Sequence, residues 1–199
     1  MNTNPLENQS SKQEKLDIRV EIATEKDWEA CRDLRMNAID SSDAEMLGFT
    51  SGEEKSEKKK LQEKIKTEAD WKKELSSLDI FWVLSWEGSQ VVGQGLAKKR
   101  EEQKDWWMGS GYIKNEEDFR GKGIGKKMFA LRLNEIKKRG GEKVRMGVKA
   151  ANHTSIHIAE LFGFKKVVED SDDIGFLMEL KNVNDLAVIK KIDEVLNAR

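Results

Sequence analysis

Nine consecutive residues, Phe119 to Lys127, hold three glycines at alternate positions and four basic side chains. Glycine carries no Cβ, so backbone N–H groups in such a run can turn toward an anion and approach it closely. Apolar residues then recur at helical spacing from Ile124, so a helix begins where the glycines end. Its positive dipole end points at the same place. The chemistry that this pattern asks for is phosphate binding, through the backbone of Gly121, Lys122, Gly123, Ile124, Gly125 and Lys126 and the side chain of Arg120. The bland alternative is a plain glycine turn. The run is not a P-loop, because no Gly-x-x-x-x-Gly-Lys-Ser/Thr is present, and it is not a dinucleotide fingerprint, because no βαβ unit with an acidic ribose ligand surrounds it.

Other chemistry-bearing residues are sparse. The single cysteine, Cys31, excludes an intrachain disulfide and a thiolate zinc cluster, and no metal site is expected. It falls at helical spacing from Trp28 and Leu34 and reads as a small core residue. Asn152 opens a helix, with Ser155 one turn further on, and Asn is a favoured cap. Tyr112 is the one tyrosine. Alternation along its strand puts it on the face of Ser110 and Met108. Trp71, Trp82, Trp86, Trp106 and Trp107 either line a groove or fill the core.

The elements that position these residues follow from periodicity. Leu16 to Ala23 alternates as a half-buried strand, and Thr24 with Asp27 forms a capping box for a helix through Trp28, Cys31, Leu34 and Ala38. Residues 40–53 read as loop. Residues 54–76 read as one or two thin helices with Leu61, Ile65, Ala69 and Leu75 inward. Ile80 to Trp86 and Val91 to Ala97 form a hairpin about Glu87-Gly88-Ser89, and Lys98 to Asp105 is a charged turn. Trp106 to Lys114 is a strand whose Gly109 and Gly111 suggest a bulge. A helix from Gly123 to Arg139 has Ile124, Met128, Leu131 and Ile136 inward and ends at Gly140-Gly141. A strand over Glu142 to Lys149 follows, then a helix from Asn152 to Gly163 and strands around Phe164 to Val168 and Ile174 to Leu180. Val183, Leu186, Ile189, Ile192 and Leu196 mark a terminal amphipathic helix, which packs either on its own sheet or on a second subunit. The fold class is α+β: a mixed, mostly antiparallel sheet flanked by helices.

Of the 199 residues, 37% are charged, and the formal net charge is −1. That balance argues against bulk nucleic-acid binding. No apolar run is long enough for a transmembrane helix. Residues 1–14 lack the hydrophobic stretch of a secretory signal and read as a disordered polar tail. A cytoplasmic protein is expected.

Two stretches make the chain resemble the GNAT superfamily of acyl-CoA N-acetyltransferases. Arg120-Gly121-Lys122-Gly123-Ile124-Gly125 matches the pyrophosphate loop, Arg/Gln-x-x-Gly-x-Gly/Ala. Asn152 with Ser155, Ile158, Phe162 and Gly163-Phe164 matches the second motif of that family. The element order agrees from about Ile18 to Leu180. The resemblance implies a GNAT domain over residues 15–182, followed by the terminal helix at 183–199. It implies acetyl-CoA as co-substrate, a primary amine as acceptor and, in many relatives, a homodimer. It places Asn152 and Ser155 on the pantetheine arm or the phosphates. A backbone N–H of the strand ending near Ile113 becomes the donor to the thioester oxygen.

One departure stands out. The tyrosine that usually protonates the leaving thiolate stands seven residues after the Asn, and here that residue is Ala159. His157 lies nearly opposite on the helical wheel and is a poor substitute. Tyr112 is the remaining candidate for a proton donor, against a core or groove-lining role. No carboxylate is placed as a base, although Glu116 and Glu117 lie nearby in the loop. The leading reading is an enzyme. The alternative is a non-catalytic acyl-CoA-binding sensor or scaffold, and an adaptor using the Lys-rich 54–73 segment is a third.

Overall fold

A computed structural model of the chain describes residues 17–47, 61–114, 119, 121–169, 173–180 and 186–198. The elements are β1 (Ile18–Ile22), α1 (Trp28–Asp40), α2 (Glu68–Leu75), β2 (Ile80–Glu87), β3 (Gln90–Arg100), β4 (Asp105–Ile113), α3 (Ile124–Lys138), β5 (Lys143–Lys149), α4 (His153–Leu161), β6 (Lys165–Glu169), β7 (Asp173–Glu179) and α5 (Leu186–Asn197). Residues 1–14, Glu116, Glu117, Arg120 and Val183 lie outside the described residues. Among the described residues, no helix is long and apolar enough to cross a membrane.

The strands form one mixed sheet in the order β1-β2-β3-β4-β5-β7-β6. Neighbours are antiparallel except β4 and β5, which run parallel. That parallel pairing is confined to Trp106 with Val144 and Trp107 with Arg145. Past Trp107 and Arg145 the two strands are no longer partners, and the sheet opens into a wedge.

Alternating side chains give the sheet two apolar faces. Phe81, Val83, Trp106 and Met108 pack with Met128, Phe129, Leu133 and Ile136 of α3 and with Ile192 of α5. Trp82 and Leu84 pack on the other face with Cys31 of α1 and with Trp71 and Leu75 of α2. The terminal helix thus covers the core of its own chain. The capping box at Thr24 forms as expected, with Asp27 Oδ2 accepting from the Thr24 N–H at 2.8 Å, although its first turn is a 3-10 turn. Gly140 and Gly141 close α3 by donating to the carbonyls of Lys137 and Ile136.

Three expectations are corrected. Leu61, Ile65 and Ala69 are exposed, and the inward residue of α2 besides Leu75 is Trp71. One bulky indole does the work assigned to a thin aliphatic stripe. The charged segment Lys98 to Asp105 is not one turn: β3 continues to Arg100, and β4 already starts at Asp105. Its Arg100 pairs with Asp105, whose buried carboxylate accepts from Arg100 Nε and Nη2, both at 2.8 Å, and also from Arg145 Nε of the neighbouring β5 at 2.9 Å. Finally, Tyr112 does not share the face of Met108. Gln94 opposes Tyr112 and Leu96 opposes Gly109, so β4 carries one more residue than β3 between these pairs. The bulge at Ser110-Gly111, where Ser110 has φ +52°, reverses the parity of the strand. Met108 therefore joins the α3 side, and Tyr112 packs with Leu34, Ala38, Ile39 and Ala44 on the α1 side.

Candidate active site

The wedge between β4 and β5 deepens into a cleft of about 260 Å³. Its walls are β4 from Met108 to Ile113, β5 from Met146 to Lys149, and Gly125, Met128, Phe129 and Arg132 of α3. The start of α4 supplies Asn152, Thr154, Ser155 and Ile158, and Met46 and Leu47 close the side next to α1.

At one end lies the start of α3. Gly121 and Gly123 have φ +74° and +78°, a left-handed conformation that glycine adopts without strain. Gly123 caps the helix with no side-chain hydrogen bond, and the first turn contains no acidic residue. The helical ladder starts with Lys127 N–H donating to Gly123 O at 3.1 Å. The amides of Ile124, Gly125 and Lys126 precede that ladder and have no acceptor within it. A positive dipole end and successive amides without an acceptor among the described residues make an anion-binding concavity.

The predicted site residues divide clearly. Tyr112, Ile113, Gly121, Gly125, Asn152 and Ser155 come together around the cleft. Lys122 is exposed, Lys126 is half-buried, and the Ile124 side chain belongs to the core, so only its amide faces the anion site. Asn152 is the cap of α4, its Oδ1 accepting from Ser155 N–H at 3.0 Å. Cys31 is fully buried, and burial beside Asp27 and Glu74 pushes its thiol far above the ordinary range, so it is inert. Ala159 is fully buried in the core and His157 is exposed. None of the five tryptophans named above lines the cleft; Trp71, Trp82 and Trp106 are core.

Sequence reasoning missed Met46, Leu47, Met146, Lys149, Thr154 and Arg132. For Arg132 a signal existed: a charged residue interrupts the inward series Ile124, Met128, Ile136 at its own spacing of four. Lys149 is paired with Asp173 at 3.0 Å.

A charged cluster backs the bulge from the α1 side. Arg35 donates from Nη1 to Ser110 Oγ at 3.2 Å and from Nε to Glu63 Oε1 at 3.1 Å. Lys66 stands 3.0 Å from both Glu63 and Glu74, and Trp82 Nε1 donates to Glu74 at 2.7 Å. Burial pushes Glu63 up, but Arg35 and Lys66 outweigh it and hold the carboxyl below its usual value. Burial likewise pulls Lys66 down, and Glu74 and Glu63 reverse that, leaving it raised. Both groups are charged near neutral pH.

The sequence profile described as the acetyltransferase (GNAT) family matches residues 36–164, well over half of the chain. The chain belongs to the GNAT acetyltransferase family. It is therefore an acyltransferase. Among solved structures, it is similar to the PaiA N-acetyltransferase of Thermoplasma acidophilum in complex with coenzyme A, at 20% identity and TM-score 0.63 over 82% of this chain and 99% of that one. It is similar to YncA, a putative acetyltransferase of Salmonella typhimurium with its cofactor acetyl-CoA, at 16% identity and TM-score 0.60 over 83% and 95%. The ribosomal-protein-alanine N-acetyltransferase of Brucella melitensis is 19% identical, with TM-score 0.56 over 81% and 99%. At these identities the likeness is one of fold. No curated protein sequence matches the chain. Within the GNAT fold, the split between β4 and β5 and the glycine-led start of α3 are where this chain places its open cleft.

Proposed function

We propose that this acyltransferase moves the acetyl group of acetyl-CoA to a primary amine. The observation that carries the reading is the wedge beside β4, which opens at one end on the Ile124, Gly125 and Lys126 amides that start α3. The backbone of Gly121 to Lys126 takes the diphosphate. The edge of β4 facing the wedge, unpaired with β5 from Met108 to Ile113, offers N–H and C=O groups to the amides of the pantetheine arm, as a sheet edge does to an added strand. A backbone N–H of that edge serves the thioester oxygen as charge develops. Asn152 and Ser155 flank the arm from α4.

The acceptor enters beside Met46 and Leu47. Among the described residues, the cleft lining contains no carboxylate and no imidazole. With no base among these residues, the amine must arrive neutral. A lysine-like amine costs about 4–5 kcal/mol to deprotonate at neutral pH, and an α-amine near pKa 8 only about 1–1.5. The arrangement therefore favours acceptors of low pKa. Hydroxyls in the lining come from Ser110, Tyr112, Thr154 and Ser155. Of these the phenol is the most acidic, and we assign proton donation to the departing thiolate to Tyr112.

The test is thiol release from acetyl-CoA with a panel of amines. Turnover of amines with pKa near 8 ahead of polyamines at neutral pH is expected, and the reverse order overturns the acceptor class. Tight binding of acetyl-CoA without thiol release from any amine returns the fold to a sensor role.

A further inference from the structure

Along the buried face of α3, every fourth residue from Ile124 points inward: Ile124, Met128, Arg132, Ile136. Three are apolar and the third in the series is a guanidinium that is only 6% exposed. A buried cation ordinarily has a carboxylate beside it. Arg132 has none among the described residues. Its Nε donates to Met128 O at 3.3 Å, and its Nη1 donates to Leu96 O at 3.4 Å and to Gly109 O at 3.2 Å. These long bonds offer dipoles but no countercharge. Burial pulls its pKa to about 10, and it stays protonated at neutral pH.

The side chain is built into the fold. Gly95 leaves the room it occupies, since a Cβ there would stand 2.9 Å from Cζ. The Phe129 ring covers it at 5.5 Å. Nη2 has no hydrogen-bond partner among the described residues and lies 3.9 Å from the Cβ position of Gly111, on the crest of the β4 bulge. Arg132 is among the residues that line the cleft. Arg132 is seven residues past Gly125, so about 10 Å along the helix from the amides that take the diphosphate. It therefore stands at the acyl end. It is also on the α3 face of the sheet, away from Met46 and Leu47, which close the cleft beside α1 where the acceptor enters.

We propose that Arg132 selects an acyl donor whose chain ends in a carboxylate, a coenzyme A thioester of a short dicarboxylic acid. This rests on the acyl-CoA reading above. The amine nitrogen attacks the thioester carbonyl carbon, the C–N bond forms and the C–S bond breaks. The amine gives up one proton and the leaving thiolate takes one, while the distal carboxylate stays paired with Arg132 and unchanged. The products are an amide with a free carboxylate and coenzyme A thiol. An acetyl group fits the same place but leaves the guanidinium without an anion.

Calorimetric titration with succinyl-CoA and butyryl-CoA, equal in chain length, needs no acceptor and tests the idea on the full chain. Binding of succinyl-CoA about 10- to 100-fold tighter is expected, the size of a hydrogen-bonded contact between buried charges. R132L, which restores the apolar series, should remove that preference, and R132K should keep part of it. Equal affinity of the wild-type chain for the two thioesters overturns the inference whether or not R132L folds. So does a preference that survives in R132L. Binding of acetyl-CoA and butyryl-CoA with none of succinyl-CoA overturns this inference alone. Binding of no thioester at all overturns the acyl-CoA reading with it.

Discussion

Gly123 has φ +78°, and nothing lies within 4 Å of where its Cβ would stand. An alanine there strains the backbone without colliding, so G123A should fold with a stability loss of about 1 kcal/mol in urea unfolding. Its effect on the anion site should be larger, because the cap residue sets the aim of the amides that follow. Affinity for acetyl-CoA by calorimetry is expected to drop about 10-fold, roughly what one lost charge-assisted hydrogen bond costs. Unchanged affinity would detach the phosphate site from this loop. Tyr112 raises a second question, since the phenol is 5% exposed and its ring packs with Leu34 and Ile39. A free phenol is a weaker acid than a free thiol, so the help Tyr112 gives falls below the usual range for general acids. Y112F should lower kcat about 10-fold and leave the KM for acetyl-CoA unchanged. A kcat within about 2-fold of wild type makes Tyr112 a packing residue and leaves the thiolate to depart unaided.

The bulge in β4 decides which residues reach the cleft. A Cβ at Gly109 would collide with the ring of Trp107, on the same strand. G109A should therefore cost about 2–3 kcal/mol in denaturant unfolding, as overpacking does where a bulky ring must shift. The expected order is G109A well below G123A in stability, and the opposite order would mean that the strand relaxes around the methyl group. The sequence announced this irregularity through Gly109 and Gly111 but not its consequence. One extra residue reverses which side chains face which way, and period-two counting cannot know where the slip occurs. The stripe before β2 fails for a different reason: Leu61, Ile65 and Ala69 fit helical spacing, but it is Trp71 of α2 that packs on Trp82 of β2, with ring centroids 5.8 Å apart. Backbone signals carried further. The caps at Thr24 and Asn152, the stop at Gly140-Gly141 and the glycines before α3 are local chemistry, readable without knowing the fold. Met46, Leu47 and Lys149 reach the cleft only because of topology, and nothing in their own neighbourhoods marks them.

At the scale of the molecule, Glu63 joins elements far apart in the chain. Through Arg35 it reaches α1 and the bulge at Ser110, and through Lys66 it reaches Glu74 of α2 and the Trp82 indole on β2. The Glu63 and Arg35 side chains are 12% and 6% exposed, so solvent screens them little. Because the folded-state pKa of Glu63 lies below its ordinary value of 4.5, its contribution to stability is present in full above that value. It fades as pH falls through the folded pKa, when the carboxyl must be protonated for Arg35 and Lys66 to lose their partner. Lys66 has the opposite sign: its raised pKa stabilises the fold below 10.5, and that is lost as pH rises through the folded value. A plateau of stability between about pH 5 and 10 is expected from this cluster, with a decline on each side. E63Q leaves a buried guanidinium facing a neutral amide, and at pH 7 it should lose about 2–3 kcal/mol, toward the low end for a broken buried pair because Lys66 is partly solvated. The informative measurement is the gap between wild type and E63Q in urea unfolding as pH is lowered. It should narrow steadily below pH 4.5, since protonation does to the wild type what the substitution has already done. A gap that stays constant to pH 3 would move the acid sensitivity of the fold to some other carboxylate and leave Glu63 as a packing residue.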